Sequence, residues 1–288
     1  IEGMLNALGD EGHTAFLTPE ELEYQRSDIS GKFSGIGASI SVQDGLPVIV
    51  SPFDGSPAYQ AGIKPGDLIT AVDGVDTSGR DLSDIIDEIR SPEGTEVTLS
   101  VLRLDGEDTD SYEIPITRGN IDIPATDWAM IPGTDVALIR LSQFNANATD
   151  HLREAVRDAE AAGAESMVLD LRNNPGGLLD QAIRVTSQFL EDGNVLQEAD
   201  ADGNVRAYPV RRGGIATEIP MAVLINAGSA SSAEILAGAL QDYDRAELIG
   251  ETTFGTGTVL EPFVLADGSA LMLGTRQWLT AEGRTIRK

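Results

Sequence analysis

The most informative segment of the chain covers residues 226–262 and reads NAGSASSAEILAGALQDYDRAELIGETTFGTGTVLEP. It opens with a turn of small residues after the apolar run 222–225, and its apolar spacing predicts a helix over about 233–243. A short strand, 246–250, then precedes the glycine-rich sequence TFGTGTV. A strand, a tight serine-bearing turn and a helix form a common platform for a nucleophile, because the turn exposes the hydroxyl beside the free N–H groups of the helix. A serine before a helix is also an ordinary helix cap, so the pattern alone leaves both roles open.

The same segment resembles the signature of the C-terminal-processing (tail-specific) serine peptidases, in which a serine in an SASASEI-like turn is paired with a lysine in a TFGKGTVQ-like sequence. Alignment on Glu234 and on the Thr-Phe-Gly of residues 253–255 places the family nucleophile at Ser231. The family lysine falls on Thr256, and the glutamine that orients it falls on Leu260. Neither side chain takes a proton from a serine hydroxyl near neutral pH. The resemblance therefore predicts a nucleophile without the expected base.

A replacement base has few candidates, because the chain contains only three lysines (Lys32, Lys64 and Lys288) and two histidines (His13 and His151). His13 lies in the sequence LGDEGHTAF, and tricorn-type relatives of the family use a histidine in a comparable context as the base for the serine. A neutral imidazole suits that role near pH 7. Many lysine-dependent members also carry a histidine here that is not catalytic, so both readings of His13 stay open.

Two further features concern these histidines. The tricorn-type resemblance implies an acidic residue on the histidine side, for which Asp10, Glu11 and Glu282 are candidates. His151 falls on a predicted amphipathic helix over about 150–162, where its charged neighbours indicate a solvated face. We expect no catalytic role for His151.

Residues 31–118 change to short alternating strands and resemble a bacterial-type PDZ domain. The resemblance rests on the Gly35-Ile36-Gly37-Ala38 loop, on GSPA at 55–58 and on AGIKPGD at 61–67. A glycine-rich loop leaves backbone N–H groups free for a terminal carboxylate, so a peptide is expected to add beside Ala38 as a strand, with an apolar last side chain near a helix over Leu82–Ile89. A PDZ domain that only gates the site is the alternative.

Residues 119–288 alternate strands and helices, which predicts parallel βαβ units. One of the predicted helices opens at Gly176-Gly177 and runs through Phe189. The sequence LDLRNNPGGLL at 169–179 resembles a diagnostic sequence of the peptidase family, and the predicted fold is α/β: a crotonase-like (ClpP/crotonase-type) core with an inserted mainly-β PDZ domain. Residues 1–30 form a helical segment that completes the core. The resemblance implies an oxyanion hole formed by the N–H of Gly176 or Gly177 with that of Ser232; a plain turn and helix start is the alternative for the two glycines.

Two local patterns are also readable. Thr18, Pro19 and Glu21 match a helix cap, the first helical position and a capping box. The run Asp200–Asn204 is similar to part of a calcium loop, but with Gly203 at the glycine position 6 of such a loop, position 12 would be Pro209. We therefore predict a hairpin turn there and expect no metal or cofactor.

The charge composition limits the kinds of partner that the protein can bind. The net charge is −27, with 47 acidic against 20 basic residues, which argues against nucleic acid and anionic membranes and is also consistent with adaptation to high salt. The chain lacks cysteine, and both ends look trimmed, so an extracytoplasmic (periplasmic or cell-surface) location with a signal or anchor outside this chain is expected.

The missing base leaves two functions open. The leading hypothesis is a serine endopeptidase that processes unstructured C-terminal tails of proteins, with the PDZ domain recognising the substrate C-terminus. The alternative is a pseudopeptidase that binds tails without cutting them. The sequence leaves the formation of a homo-oligomer open.

Overall fold

The computed structural model describes residues 4–5, 14–43, 45–53, 55–105 and 108–286, and these divide into two compact units. The smaller unit is residues 32–123, and the larger combines the described parts of 1–31 and 124–288. The sequence-based boundaries are 30/31 and 118/119. The first lies one residue from the observed boundary, and the second lies five residues away because the strand Gly119–Asp122 pairs with the strand Lys32–Gly35 and so belongs to the smaller unit.

The larger unit includes strand β1 (Ala15–Leu17) and helix α1 (Pro19–Ser30). The predicted capping box is confirmed. The N–H of Thr18 donates to the Glu21 carboxylate at 2.8 Å, and the N–H of Glu21 donates to the Thr18 hydroxyl at 3.2 Å. These two bonds satisfy backbone donors that the first helical turn leaves unpaired, and they fix where α1 begins.

The smaller unit is mainly β. Its elements are β2 (Lys32–Gly35), β3 (Ala38–Gln43), β4 (Leu46–Pro52), α2 (Pro57–Gln60), β5 (Leu68–Val72), β6 (Val75–Asp76), α3 (Leu82–Ile89), β7 (Glu96–Asp105), β8 (Asp108–Thr117) and β9 (Gly119–Asp122). An antiparallel sheet runs in the order β3-β4-β5-β7-β8, with β6 on β5, while β9 pairs with β2. Aliphatic side chains from the sheet and from α3 fill the core, including Ile49, Ile69, Ile85, Val97 and Leu99.

The larger unit continues with twelve elements. They are β10 (Thr126–Met130), β11 (Val136–Leu141), α4 (Ala148–Ala161), β12 (Ser166–Asp170), α5 (Leu179–Thr186), β13 (Asn194–Ala199), β14 (Val205–Pro209), β15 (Met221–Ile225), α6 (Ser232–Asp242), β16 (Glu247–Gly250), β17 (Thr258–Val264) and β18 (Ala270–Leu279). One sheet has the order β10-β11-β12-β15-β16, and a second has the order β1-β18-β13-β14, with β17 on β18.

The predicted parallel βαβ units are confirmed, since β11, β12, β15 and β16 are parallel neighbours and only β10 is antiparallel. Parallel neighbours need long crossovers, and α4 and α6 supply two of them. Because β12 and β15 run side by side, with Asp170 opposite Leu224, the loops that follow both strands leave from the same edge of the sheet. This topology brings residues 171–178 and 226–232 together.

Helix packing follows the apolar spacing. In α4 the inward positions recur every three or four residues, so one face is buried against the sheet: Ala148, Leu152, Ala155, Val156 and Ala159. Among the described residues, no helix combines the length and the hydropathy that a membrane crossing requires.

Two local predictions have different outcomes. The hairpin is confirmed: β13 and β14 are antiparallel, and the Asp200 carboxylate accepts the N–H groups of Asp202 and Asn204 at 3.0 and 2.8 Å. The observed helix is shorter than the one predicted over 176–189, since α5 covers only Leu179–Thr186. Gly176 and Gly177 have φ values of 98° and 142°, which an α-helix does not accommodate.

Candidate active site

Ser231 lies at the turn between β15 and α6 with φ 52° and ψ −116°. A non-glycine residue rarely adopts positive φ, and such a conformation costs about 1–3 kcal/mol. The same strained strand–turn–helix geometry presents the nucleophile of hydrolases that carry a serine on a sharp elbow. The Ser231 backbone therefore differs from that of an ordinary helix cap, which is extended.

Glu234 is a buried carboxylate that fixes this turn. It accepts the N–H of Ser231 at 2.9 Å, and from the loop after β16 it accepts the Thr253 hydroxyl at 2.7 Å and the N–H groups of Gly255 and Thr256 at 2.6 and 3.0 Å. Sequence reasoning used Glu234 only to align the segment. Its position three residues after a serine is a capping-box signal that could have identified it.

Asparagines join the loop after β12 to the serine turn. The side-chain amide of Asn226 donates to Asn173 Oδ1 at 2.9 Å, and Asn226 Oδ1 accepts the N–H of Asn173 at 2.9 Å. Asn174 is fully buried. Its side-chain amide donates to the Leu141 backbone carbonyl at 2.7 Å, and its backbone carbonyl accepts the N–H of Ala230 at 2.9 Å. The two loops thus form one cross-linked support beneath Ser231.

The Gly-Gly turn packs directly against Ser231. A Cβ added to Gly176 would lie 2.7 Å from the Ser231 Cβ, and one added to Gly177 would lie 2.4 Å from the Phe144 carbonyl oxygen. With φ values of 98° and 142°, both positions require glycine. The absence of side chains at these positions lets the Gly-Gly turn lie in close contact with the serine turn.

The two glycines differ in what their N–H groups do. The N–H of Gly176 donates to Asn174 Oδ1 at 2.8 Å. Within the described part of the chain, the N–H groups of Gly177 and Ser232 have no hydrogen-bond partner. The Ser232 hydroxyl donates to the Gly177 carbonyl at 3.1 Å, which holds these two residues together. Of the two alternatives for the first oxyanion donor, the geometry therefore favours Gly177.

The positions of the family base carry no replacement base. The N–H of Thr256 is bonded to Glu234, and Leu260 lies in β17 with its side chain partly exposed. His13 lies outside the described residues, as do Asp10 and Glu11, so the predicted meeting of Ser231 and His13 stays a prediction. The third acidic candidate, Glu282, is exposed, and its N–H donates to Asp242 at 2.8 Å.

His151 has a packing role instead of the solvated position expected from its neighbours. Its Nδ1 accepts the N–H of Ala125 at 3.1 Å, because α4 packs against β10. It lines a cavity of about 260 Å³ with Trp128 and Glu154.

A charged pair lies at the end of β12, next to the asparagine loop. The Arg172 guanidinium donates to both oxygens of the buried Asp170 carboxylate at 2.9 and 2.7 Å. Burial by itself raises the pKa of Asp170, but the hydrogen bonds from Arg172 outweigh it and hold the pKa of Asp170 below its usual value. The carboxylate is therefore charged at neutral pH.

In the smaller unit, the predicted peptide-binding residues form a glycine-rich connection between β2 and β3. The carbonyls of Ile36 and Gly37 accept the N–H groups of Ala58 and Phe53 at 2.8 and 2.9 Å. The N–H groups of Ile36 and Gly37 have no partner among the described residues. From Ala38 onward, β3 pairs only with β4 in the described part, so its other edge is open to an added strand.

Comparison with known proteins agrees with this architecture. The model of peptidase family S41 matches residues 135–288, and that of the PDZ domain matches residues 48–103. A carboxy-terminal-processing protease from Bartonella bacilliformis is 38% identical over 292 residues, which cover 100% of this chain and 66% of the relative. A carboxyl-terminal-processing protease from Synechocystis sp. is 38% identical over 293 residues, covering 100% of this chain and 68% of the relative.

A solved structure is also similar. The photosystem II D1 C-terminal processing protease aligns with a TM-score of 0.57 and 30% identity, over 99% of this chain and 77% of that one. The chain spans about two thirds of the length of the two sequence relatives. The expected resemblance is confirmed, and the chain belongs to peptidase family S41, the family of the carboxy-terminal-processing proteases, with a PDZ domain in its sequence.

Proposed function

We propose that this protein is a serine endopeptidase that processes unstructured C-terminal tails of other proteins. The observation that carries the proposal is the strained backbone of Ser231, at φ 52° and ψ −116°, between β15 and α6. A conformation this costly persists where the surrounding structure imposes it, and here Glu234 and the Gly176 backbone both restrain the turn.

In the proposed reaction, the Ser231 hydroxyl oxygen attacks the carbonyl carbon of the scissile peptide bond. The N–H groups of Gly177 and Ser232 stabilise the negative charge that develops on the carbonyl oxygen. The serine proton passes to a base and then to the leaving amine, and water hydrolyses the acyl-enzyme. We assign the base role to His13, or to another group outside the two substituted family positions.

Recognition of the substrate C-terminus is proposed for the smaller unit. The N–H groups of Ile36 and Gly37 suit a terminal carboxylate, and the open edge of β3 suits the extended tail. Unstructured tails fit both requirements, because only an extended segment can add as a strand.

A pseudopeptidase that binds tails without cutting them is the second candidate. It is favoured by one specific observation: Thr256 and Leu260 occupy the positions of the family lysine and glutamine. Loss of the base costs several orders of magnitude in rate, since nucleophile and base act as a unit.

Cleavage of casein, a disordered protein, separates the two candidates. The peptidase proposal expects casein fragments from the wild type and none from Ser231→Ala, together with Ser231-dependent labelling by a serine-reactive phosphonate. Abolition by His13→Ala, with tail binding unchanged, would identify the base. Intact casein and absent labelling at every pH from about 5 to about 10, with tails still bound, would establish the pseudopeptidase.

Three broader assignments accompany the proposal. The parallel strands with helical crossovers support a crotonase-like core. An extracytoplasmic location is part of the proposal, and the cysteine-free sequence is compatible with it. A homo-oligomer is compatible with both functions, and gel filtration with light scattering tests it.

A further inference from the structure

Hydrogen bonds hold the backbone of Phe254, in the loop between β16 and β17, beside the serine turn. Its N–H donates to the Ser229 carbonyl at 2.9 Å, two residues before Ser231. The residues on either side are bonded to Glu234, through the Thr253 hydroxyl and the Gly255 N–H. The backbone at Phe254 is therefore held by the same carboxylate that holds the Ser231 N–H.

Phe254 is nevertheless 50% exposed. Two other phenylalanines of the larger unit, Phe144 and Phe189, are fully buried. An exposed aromatic side chain on a fixed backbone can bind a ligand at little conformational cost, because only two side-chain torsions remain to be ordered.

A second exposed apolar residue lies on the other loop that is bonded to this turn. Leu178, which is 36% exposed, directly follows Gly177, whose carbonyl accepts the Ser232 hydroxyl at 3.1 Å. Phe254 and Leu178 thus come from the two loops that contact residues 229–232. An extended substrate with its carbonyl at Ser231 carries its neighbouring side chains within about 7 Å of that carbonyl. Phe254 and Leu178 are exposed apolar residues on the two loops that are bonded to the serine turn.

We infer that Phe254 is a specificity-determining residue, which with Leu178 contacts an apolar side chain of the substrate next to the bond to be cut. The inference rests on the proposed function and names its substrate class: unstructured segments with an aliphatic or aromatic residue at the cleavage point. Neither side chain offers a hydrogen bond or a charge, so a polar residue of the same shape gains nothing from them.

The test compares two acetylated and amidated peptides that differ at one central residue, Leu or its polar near-isostere Asn. Both are neutral there, so the net charge of −27 does not discriminate between them, and the amide end removes capture of a terminal carboxylate. Binding is measured to the full chain carrying Ser231→Ala, which makes the result independent of catalysis. We expect the Leu peptide to bind at least about tenfold more tightly.

The preference should disappear when Phe254→Ala is added, fall only partly with Phe254→Leu, and persist with Phe263→Ala. Phe263 is the matched control, because it is similarly exposed (45%) but lies in β17. Equal binding of the two peptides, or a preference that survives Phe254→Ala, overturns the inference. A circular dichroism melt checks that each variant is folded.

A second readout separates this inference from the proposed function. Mass spectrometry of casein fragments should show apolar residues at the cut bonds for the wild type and a broader set for Phe254→Ala. Uncut casein with the binding preference retained counts against the peptidase and leaves the inference standing. Cleavage at the same residues in both proteins counts against the inference and leaves the peptidase standing.

Discussion

Glu234 and Ser231 are joined by a hydrogen bond of 2.9 Å from the Ser231 N–H to the buried Glu234 carboxylate. The same carboxylate accepts three donors from residues 253–256, so one side chain connects the candidate nucleophile to the loop that carries the family base position. A single buried acceptor with four donors makes the geometry of the site sensitive to substitution at 234.

Replacing Glu234 by Gln should destabilise the protein and misplace Ser231. The glutamine NH₂ group would face N–H donors in place of an acceptor, and leaving buried donors unsatisfied costs about 1–3 kcal/mol each. We expect a loss of about 2 kcal/mol or more in the free energy of unfolding in urea. Glu251→Gln, an exposed position in the same loop, is the control. Equal stability of the two variants would contradict this role for Glu234.

Installing the family pair, Thr256→Lys with Leu260→Gln, should restore cleavage to a protein disabled by His13→Ala. Thr256 lies on the loop joined to Ser231 through Glu234, so a lysine there starts from a backbone already fixed to the serine turn. The measurement is casein cleavage as a function of pH, with activity rising toward alkaline pH as the ammonium loses its proton. A folded, inactive triple variant would show that residues 256 and 260 are not the base positions.

Gly177→Ala should lower both stability and activity. The added Cβ would meet the Phe144 carbonyl at 2.4 Å, and φ is 142°. We expect a loss of about 2 kcal/mol or more in unfolding free energy. Gly203→Ala is the matched control, since φ there is 82° with no atom near the added Cβ, and it should cost about 1 kcal/mol. Comparable losses for both would mean that close packing at 177 is unimportant.

The Asp170–Arg172 pair should stabilise the fold in a pH-dependent way. The pKa of Asp170 is lower in the folded protein than in the unfolded chain, so its contribution is complete above the unfolded pKa and is lost as pH falls through the folded one. The difference in unfolding free energy between wild type and Asp170→Asn should therefore shrink as pH falls below about 4. A difference that stays constant over this range would contradict the assignment. Asp127→Asn, at an exposed position, controls for general titration.

Salt should stabilise the protein in the low-salt range. With a net charge of −27, the folded chain repels itself, and screening shortens the range of that repulsion from about 30 Å at 0.01 M to about 10 Å at 0.1 M ionic strength. The melting temperature should rise over this interval for NaCl and KCl alike. A constant or falling melting temperature would mean that the acidic residues are neutralised locally by their partners.

Local patterns in the sequence determined much of the secondary structure. The capping box of Thr18 and Glu21 and the hairpin closed by Asp200 were readable because their hydrogen bonds join residues at most four positions apart. Helix α3 was predicted at its observed limits, and α6 within one residue. The parallel order of the sheet followed from alternating strands and helices, since such strands need crossovers.

The tertiary structure decided what the site residues do. Only the fold shows that the Gly176 N–H donates to Asn174 Oδ1 while the Gly177 N–H does not. The orientation of the Asn174 side chain depends on its other hydrogen bond, to the carbonyl of Leu141, which is distant in the sequence. Only the fold brings residues 253–256 to Glu234. Such contacts depend on which strands lie side by side, and no local propensity encodes a hydrogen bond across twenty or more residues. The sequence determined the family and its elements, and the packing of the loops after β12, β15 and β16 decided the site.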